Sequence, residues 1–284
     1  MRRIAIAIVM VSAAVVGGCE ARNLDPDAGG SGSLGGLGGA GVGGAGAGGA
    51  GGSVCFYCGE PPLLSDFEDP TVATIVRYGS PPRNGSWYTY NDGTCTQTPT
   101  PGDPNMPYVG QAPPTGVPNA AMGALSLHAM WSGCTTWGAG IGAELNVPIS
   151  TDGAIYVGPK RPYDLTAYAA ITFWARGELG SARSLKIKLP MRATTSIENG
   201  GTCDEEIRGV GMCGDDWGEV FVLPAADSWK QFTIYFSEVA FRQDGWGAEI
   251  PWDPKDVTSI RIESVTLGAT YDFWLDDIYL IRLR

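Results

Sequence analysis

The chain has 284 residues, 30 acidic against 19 basic side chains for a net charge of −11, 44% hydrophobic residues, 42 glycines and one histidine. The acidic balance argues against a nucleic-acid partner or an anionic-membrane surface, because such partners are held by clustered lysines and arginines. One histidine excludes a multi-histidine zinc site or an HExxH helix, and no Walker sequence or GxGxxG turn between strand and helix is present, which argues against nucleotide chemistry.

Residues 1–18 read as an export signal: Arg2 and Arg3 precede the apolar run Ile4 to Val16, which is short for a permanent membrane span. The run ends in Val16-Gly17-Gly18-Cys19. This resembles the bacterial lipoprotein box, in which the cysteine is lipidated and becomes the mature N-terminus; an ordinary signal peptide is the alternative. Loss of residues 1–18 leaves 17 basic against 30 acidic side chains. The expectation is an extracytoplasmic protein of the bacterial cell envelope, tied to the membrane by a lipid on Cys19. Residues 19–60 then read as a flexible linker, since 29–52 hold 15 glycines in 24 positions, too little side chain to offset the entropy of ordering. As a coil, 20–60 has an r.m.s. span of roughly 35 Å.

Residues 61–284 are long enough for one substantial core. Strands are predicted at Ile171–Ala175, Leu185–Leu189, Glu219–Leu223, Trp229–Phe236, Ser259–Glu263 and Tyr271–Ile281. In LKIKL, Leu185, Ile187 and Leu189 fall on one face and Lys186 and Lys188 on the other, as a half-buried strand requires. Strands punctuated by glycine and proline, without intervening helices, predict an all-β fold, a two-sheet antiparallel β-sandwich.

Seven cysteines less a lipidated Cys19 leave six, which allow 15 connectivities, and an oxidising location favours disulfides over free thiols. Nearest-neighbour pairing gives Cys55–Cys58, Cys95–Cys134 and Cys203–Cys213. No thioredoxin-like pattern surrounds the CFYC sequence to make it a redox pair.

The order FED at 67–69, YDLTAYAAITFWARG at 163–177, SWKQFTIYFSEVAF at 228–241 and DFWLDDIYL at 272–280 resembles the galactose-binding-like jelly rolls, especially the family-11 carbohydrate-binding modules. The resemblance covers most of 61–284 and is thinnest between 91 and 160. It implies a jelly roll with a structural calcium ion and a concave face that binds glycans.

The carboxylates can be read on their own terms as well. Asp66 and Glu68 share a face if 64–69 is a strand, and Asp276 and Asp277 interrupt an apolar terminal strand, where unpaired charge is costly. A hard cation held by oxygens, a solvated strand end and an ion pair to an arginine are all compatible with this pattern. In the resembling jelly rolls an acid of the first strand and the second acid of the closing LDD help to bind calcium. That implies Glu68 and Asp277 as metal ligands. Asp66, and Asn91 or Asp92, are the further oxygen donors expected to join them on the residues' own chemistry.

Aromatic side chains carry the expectation of binding. Trp87, Tyr88 and Tyr90 stand in NGSWYTYNDG, Trp131 and Trp137 bracket SGCTT, Trp217 follows GDD, and Trp246 and Trp252 lie in DGWGAEIPW. Sugar rings present C–H faces that pack on indole and phenol rings while nearby polar groups fix the hydroxyls. The candidate ligand-binding groups are Trp217 with Asp215 and Asp216, Trp246 with Arg242 and Asp244, and Trp87 with Tyr90. His128 alternates with core-like residues and has no GxSxG partner, so no catalytic set is visible. The expected function is non-catalytic binding of a polysaccharide or glycan. The alternative is a structural or adhesive surface protein that binds protein, and a glycan-active enzyme has the least support.

Overall fold

The computed structural model describes residues 63–68, 75, 83–101, 123–147, 159–224 and 228–282. The signal segment, Cys19, the linker and the Cys55–Cys58 pair lie outside them. Among the described residues no helix is long and apolar enough to cross a membrane.

The strands are β1 (Leu63–Ser65), β2 (Trp87–Asn91), β3 (Thr96–Thr98), β4 (Leu127–Ser132), β5 (Ala139–Glu144), β6 (Tyr168–Gly177), β7 (Ser184–Leu189), β8 (Trp217–Val222), β9 (Lys230–Tyr235), β10 (Ser259–Ser264) and β11 (Tyr271–Arg282). The first sheet runs β3-β4-β11-β6-β9, with β1 also paired to β11, and the second runs β2-β5-β10-β7-β8. Every ladder is antiparallel. Leaving aside β1 to β3, the two sheets contain β4-β11-β6-β9 and β5-β10-β7-β8, the strand order of an eight-stranded jelly roll. The all-β sandwich expected from the sequence is the fold observed.

The core lies between the sheets. Phe173 of β6 packs against Phe221 of β8 with ring centroids 5.1 Å apart and against Phe232 of β9 at 5.6 Å, so its ring joins both layers. Trp131 of β4 meets Phe273 of β11 edge-on at 5.1 Å. Cys95–Cys134 and Cys203–Cys213 form disulfides with Cα separations of 4.3 and 5.9 Å.

All six strands predicted from hydrophobic pattern are present within a few residues of the expected bounds. The first strand differs: it stops at Ser65, and Phe67 takes a left-handed backbone with φ of 55°. Its ring thereby turns into the core against Trp87, 5.4 Å away. Asp66 and Glu68 therefore do not lie along one strand face, which corrects the expected 64–69 strand.

Phe173→Ala removes a fully buried ring from both layers at once. It is expected to cost about 3–5 kcal/mol, read as a lowered urea midpoint with an unchanged slope.

Candidate functional site

The outer face of the second sheet floors a groove of about 930 Å³. Its floor is built by register. Tyr88 of β2 stands opposite Gly142 of β5, which stands opposite Arg261 of β10, which stands opposite Lys188 of β7. One rung along, Tyr90, Gly140, Glu263 and Lys186 repeat the arrangement. Both tyrosines reach over a glycine to β10: the Tyr90 hydroxyl donates to Glu263 Oε1 at 2.7 Å, and Arg261 Nε donates to the Tyr88 oxygen at 3.2 Å. The Arg261 guanidinium also lies 5.3 Å from the Tyr90 ring centroid.

Ion pairs extend this floor. Lys188 meets Glu263 at 2.6 Å, Lys186 meets Asp244 at 2.8 Å, Arg261 faces Asp216 at 3.8 Å, and Lys160 pairs with Glu144. Burial pushes the Tyr88 phenol up to about 12, helped by the charge of Glu144 and opposed by Arg261. Burial, aided by Glu263, raises Tyr90 as well. Burial also raises Asp216 despite Arg261 and Lys188. At Glu263 burial acts upward but is outweighed by Lys188 and Arg261, so its carboxyl sits below the ordinary glutamate value.

Aromatic walls complete the groove. Trp137, half exposed at 54%, stacks near Tyr90 with centroids 6.1 Å apart and planes 26° from parallel. Trp246, 50% exposed, lies across Gly214, where an added Cβ would meet its Cη2 at 3.6 Å. Its loop is held by Asp215, whose carboxylate accepts the backbone N–H groups of Asp244, Gly245 and Gly247 at 2.8, 2.8 and 3.1 Å.

The residues expected to face a ligand therefore divide. Tyr90, Trp246 and Asp244 line the groove, and Asp216 supports it from below through Arg261 and a hydrogen bond from Thr194. Asp215 is a loop clamp, not a surface group. Trp87 is a correction: it is 3% exposed and donates Nε1–H to Ser65 Oγ at 3.3 Å, because it alternates inward along β2 between the outward Ser86 and Tyr88. Trp217 is a second correction. Its indole donates to the Ile250 carbonyl at 2.7 Å and packs with Phe241 and Trp252, closing one end of the core. Arg242 is exposed and bridges Gly218 through its backbone, outside the groove lining. His128 belongs to the other sheet, stacked on Trp274 at 4.0 Å and 2.7 Å from Asp272 Oδ1.

Sequence reasoning missed Arg261, Glu263, Glu144 and Lys160 as floor groups, and treated Lys186 and Lys188 only as the polar side of a strand. The period-two alternation of LKIKL and SIRIE was the available signal; what it lacked was which strands lie side by side.

The carboxylate cluster occupies the first sheet, where β4 and β1 share one edge of β11. Leu127 is the last β4 residue paired there, opposite Leu275, and Ser65 of β1 pairs with Ile278. Between them Asp277 has φ of 48°. Asp276, 1% exposed, accepts from Ser126 Oγ at 3.1 Å, and burial together with Asp277 raises its carboxyl to about 7. Burial, Asp66 and Glu68 likewise raise Asp277. Glu68 accepts the backbone N–H groups of Ala124 and Leu125 at 3.0 and 3.1 Å. A Cβ on Gly123 would fall 1.6 Å from its Oε1, so only glycine admits that carboxylate.

Among the described residues none of these four acids is in an ion pair. All-oxygen donors in which two buried acids, Asp276 and Asp277, stand with the less buried Asp66 and Glu68 fit a hard cation such as calcium. Asn91 and Asp92 do not belong to this cluster. Asp92 sits at the opposite end of β4, where its Oδ2 accepts the N–H groups of Thr136, Trp137 and Gly138 at 2.9–3.0 Å. Its grouping with Cys95 and Cys134 offers no metal site, since both sulfurs are in the disulfide.

No family model matches the sequence, and no curated protein is matched by it. Among solved structures, the chain is similar to a family-11 carbohydrate-binding module of a cellulosomal cellulase from Clostridium thermocellum, at 17% identity over 79% of this chain and 95% of that one, with a TM-score of 0.42. A family-30 carbohydrate-binding module of another cellulosomal cellulase from the same organism is similar at 13% identity over 78% and 96%, with a TM-score of 0.41. An agarase is similar at 10% identity over 78% of this chain and 26% of its own, with a TM-score of 0.36. The fold assignment rests on the strand order above.

Because Glu263 titrates lower in the folded chain than unfolded, the folded state binds fewer protons between the two values. Its contribution to stability is complete above the ordinary glutamate value of about 4.5 and is lost as pH falls through the lower folded value. Glu263→Gln is expected to destabilise the protein at neutral pH, by leaving Lys188 unpaired, and to flatten this part of the acid limb in urea midpoints measured across acidic pH.

Proposed function

We propose that this protein is a non-catalytic, lipid-anchored component of the bacterial cell envelope that binds glycans in the groove of its second sheet. The observation that carries this reading is the floor itself: Tyr88, Tyr90 and Trp137 offer ring faces beside paired charges that supply both donors and acceptors. Sugars need both kinds of surface, apolar for C–H faces and polar for hydroxyls. Each of the four cations faces an acid. Among the described residues the groove thus has no unpaired cation to offer a uronate, which favours neutral sugars.

The export signal and Cys19 support the anchored location, and the two disulfides agree with an oxidising compartment. Exposed Ile207 and Val210, 82% and 91% accessible on the loop closed by Cys203–Cys213, favour a second reading in which the surface grips a protein.

A glycan array probed with the full chain in detergent tests the choice. Retention of neutral oligosaccharides, reduced by Trp137→Ala and by Trp246→Ala, is expected. An array without signal from the folded wild type overturns the glycan reading in favour of the protein-binding one.

We propose further that calcium binds at Asp66, Glu68 and Asp277, with Asp276 behind them, where it would neutralise the cluster and tie β1 to β11. Binding to the folded state alone stabilises by mass action, about 2.7 kcal/mol at a free concentration one hundred times the dissociation constant. Calcium is therefore expected to raise the melting temperature of metal-stripped wild type and to leave Asp277→Ala almost unchanged. Identical melting curves with calcium and with chelator exclude the site.

A further inference from the structure

We infer that Gly140 and Gly142 are positioning residues: by leaving the outer side of β5 bare, they let the Tyr90 and Tyr88 rings lie across that strand and turn their faces to the groove. The functional weight of this inference rests on the glycan reading, whereas the placement of the rings does not.

Register supplies the first argument. Each glycine lies between a tyrosine on β2 and that tyrosine's polar partner on β10, so the hydroxyl must cross β5 to reach it. Steric contact supplies the second. A Cβ at Gly140 would fall 2.5 Å from the Tyr90 hydroxyl oxygen, and one at Gly142 would fall 2.8 Å from Cζ of Tyr88. Neither glycine is among those with positive φ, so backbone freedom does not explain the choice of residue here. Close approach does.

With the hydroxyl edges held down against β10, both rings remain partly exposed, and they continue into Trp137 as a row. Tyr88 and Tyr90 are 5.7 Å apart and Tyr90 and Trp137 are 6.1 Å apart between centroids. Such a row suits successive sugar units of one extended chain better than a single isolated ring. The same Cβ atoms would also come 2.8 Å from the Ile262 carbonyl and 3.0 Å from the Ile260 carbonyl, so the experiment has to separate ring from backbone.

The test uses the full chain in detergent. Phenol ionisation followed by ultraviolet absorbance is compared in wild type, Gly142→Ala, Tyr88→Phe and Tyr88→Ala, and affinity for cellohexaose is measured by calorimetry. Gly142→Ala is expected to bring the late-titrating phenol, identified by its loss in Tyr88→Phe, down toward the ordinary tyrosine value. It is also expected to weaken cellohexaose at least about tenfold. Placed in Tyr88→Ala, it should cost no further affinity, because its effect passes through that ring.

An unchanged phenol titration in folded Gly142→Ala overturns the inference, as do losses that multiply in the double variant. If Gly142→Ala does not fold, adding Tyr88→Ala should restore folding. Failure to do so assigns the glycine to the β10 carbonyl and overturns the inference too. A shifted phenol titration in a protein that binds no cellohexaose supports the ring placement and leaves that loss to the glycan reading alone.

Discussion

The second sheet is organised around a strand, β5, whose outer face is bare at two successive outward positions. Because β5 presents only Gly140 and Gly142 there before Glu144, its neighbours on either side can interact across it. A phenol hydroxyl is costly to bury without a partner, and each tyrosine finds one on β10. Those partners are ions that need compensation of their own. Glu263 therefore also faces Lys188, and Arg261 also faces Asp216. The demand for pairing passes from β2 to the loops beyond β7, where Asp244 receives Lys186. Partly buried ion pairs add little to stability when weighed against packed apolar residues, but removing one member leaves the other stranded. Their contribution here is to fix where the groups point.

The first sheet meets a different constraint at the end of the chain. β11 is long enough to pair with β4 over its first half and with β1 over its second. A register shift in its ladder with β6, between Asp276 and Tyr279, falls at the join. Two acids at that point are poorly placed for an isolated strand, since repulsion and desolvation both act against their ionised forms. Ser126 and the backbone N–H of Asp277 satisfy part of Asp276, with the latter at 2.8 Å. The amides of Ala124 and Leu125 satisfy Glu68. What these contacts leave is negative charge gathered from β11 and from the segment just after β1.

Much of this fold was legible because apolar residues alternate along β6, β7, β10 and β11, and their order is compatible with one sandwich. The stretch from β2 to β5 was not. In β5 the sequence AGIGAE reads as a loop by composition, since glycine weakens a strand and offers no side chain to alternate. Only Ala139, Ile141 and Ala143, all buried, show which side is inward. The omission that hid the strand also makes the groove, so the site was least visible where its floor is built. Trp87 and Trp217 misled for the converse reason. Both stand beside polar residues in sequence, but strand alternation and the packing of Trp217 with Phe241 and Trp252 turn them inward.

A surface built this way is largely organised before any ligand arrives. The tyrosine edges are tied to β10, Asp215 holds the loop of Trp246 through three backbone amides, and the disulfide Cys203–Cys213 closes the neighbouring wall. Association costs free energy for every side chain and loop that must be ordered. Here the fold bears much of that cost through register and hydrogen bonds that also serve the sandwich. Aromatic faces then need only displace water from surfaces already in place, while the paired ions can exchange one hydrogen-bond partner for another without moving. That combination favours a ligand with many weak, repeated contacts over one with a single strong charge, because the floor repeats along its length and its charges are already matched.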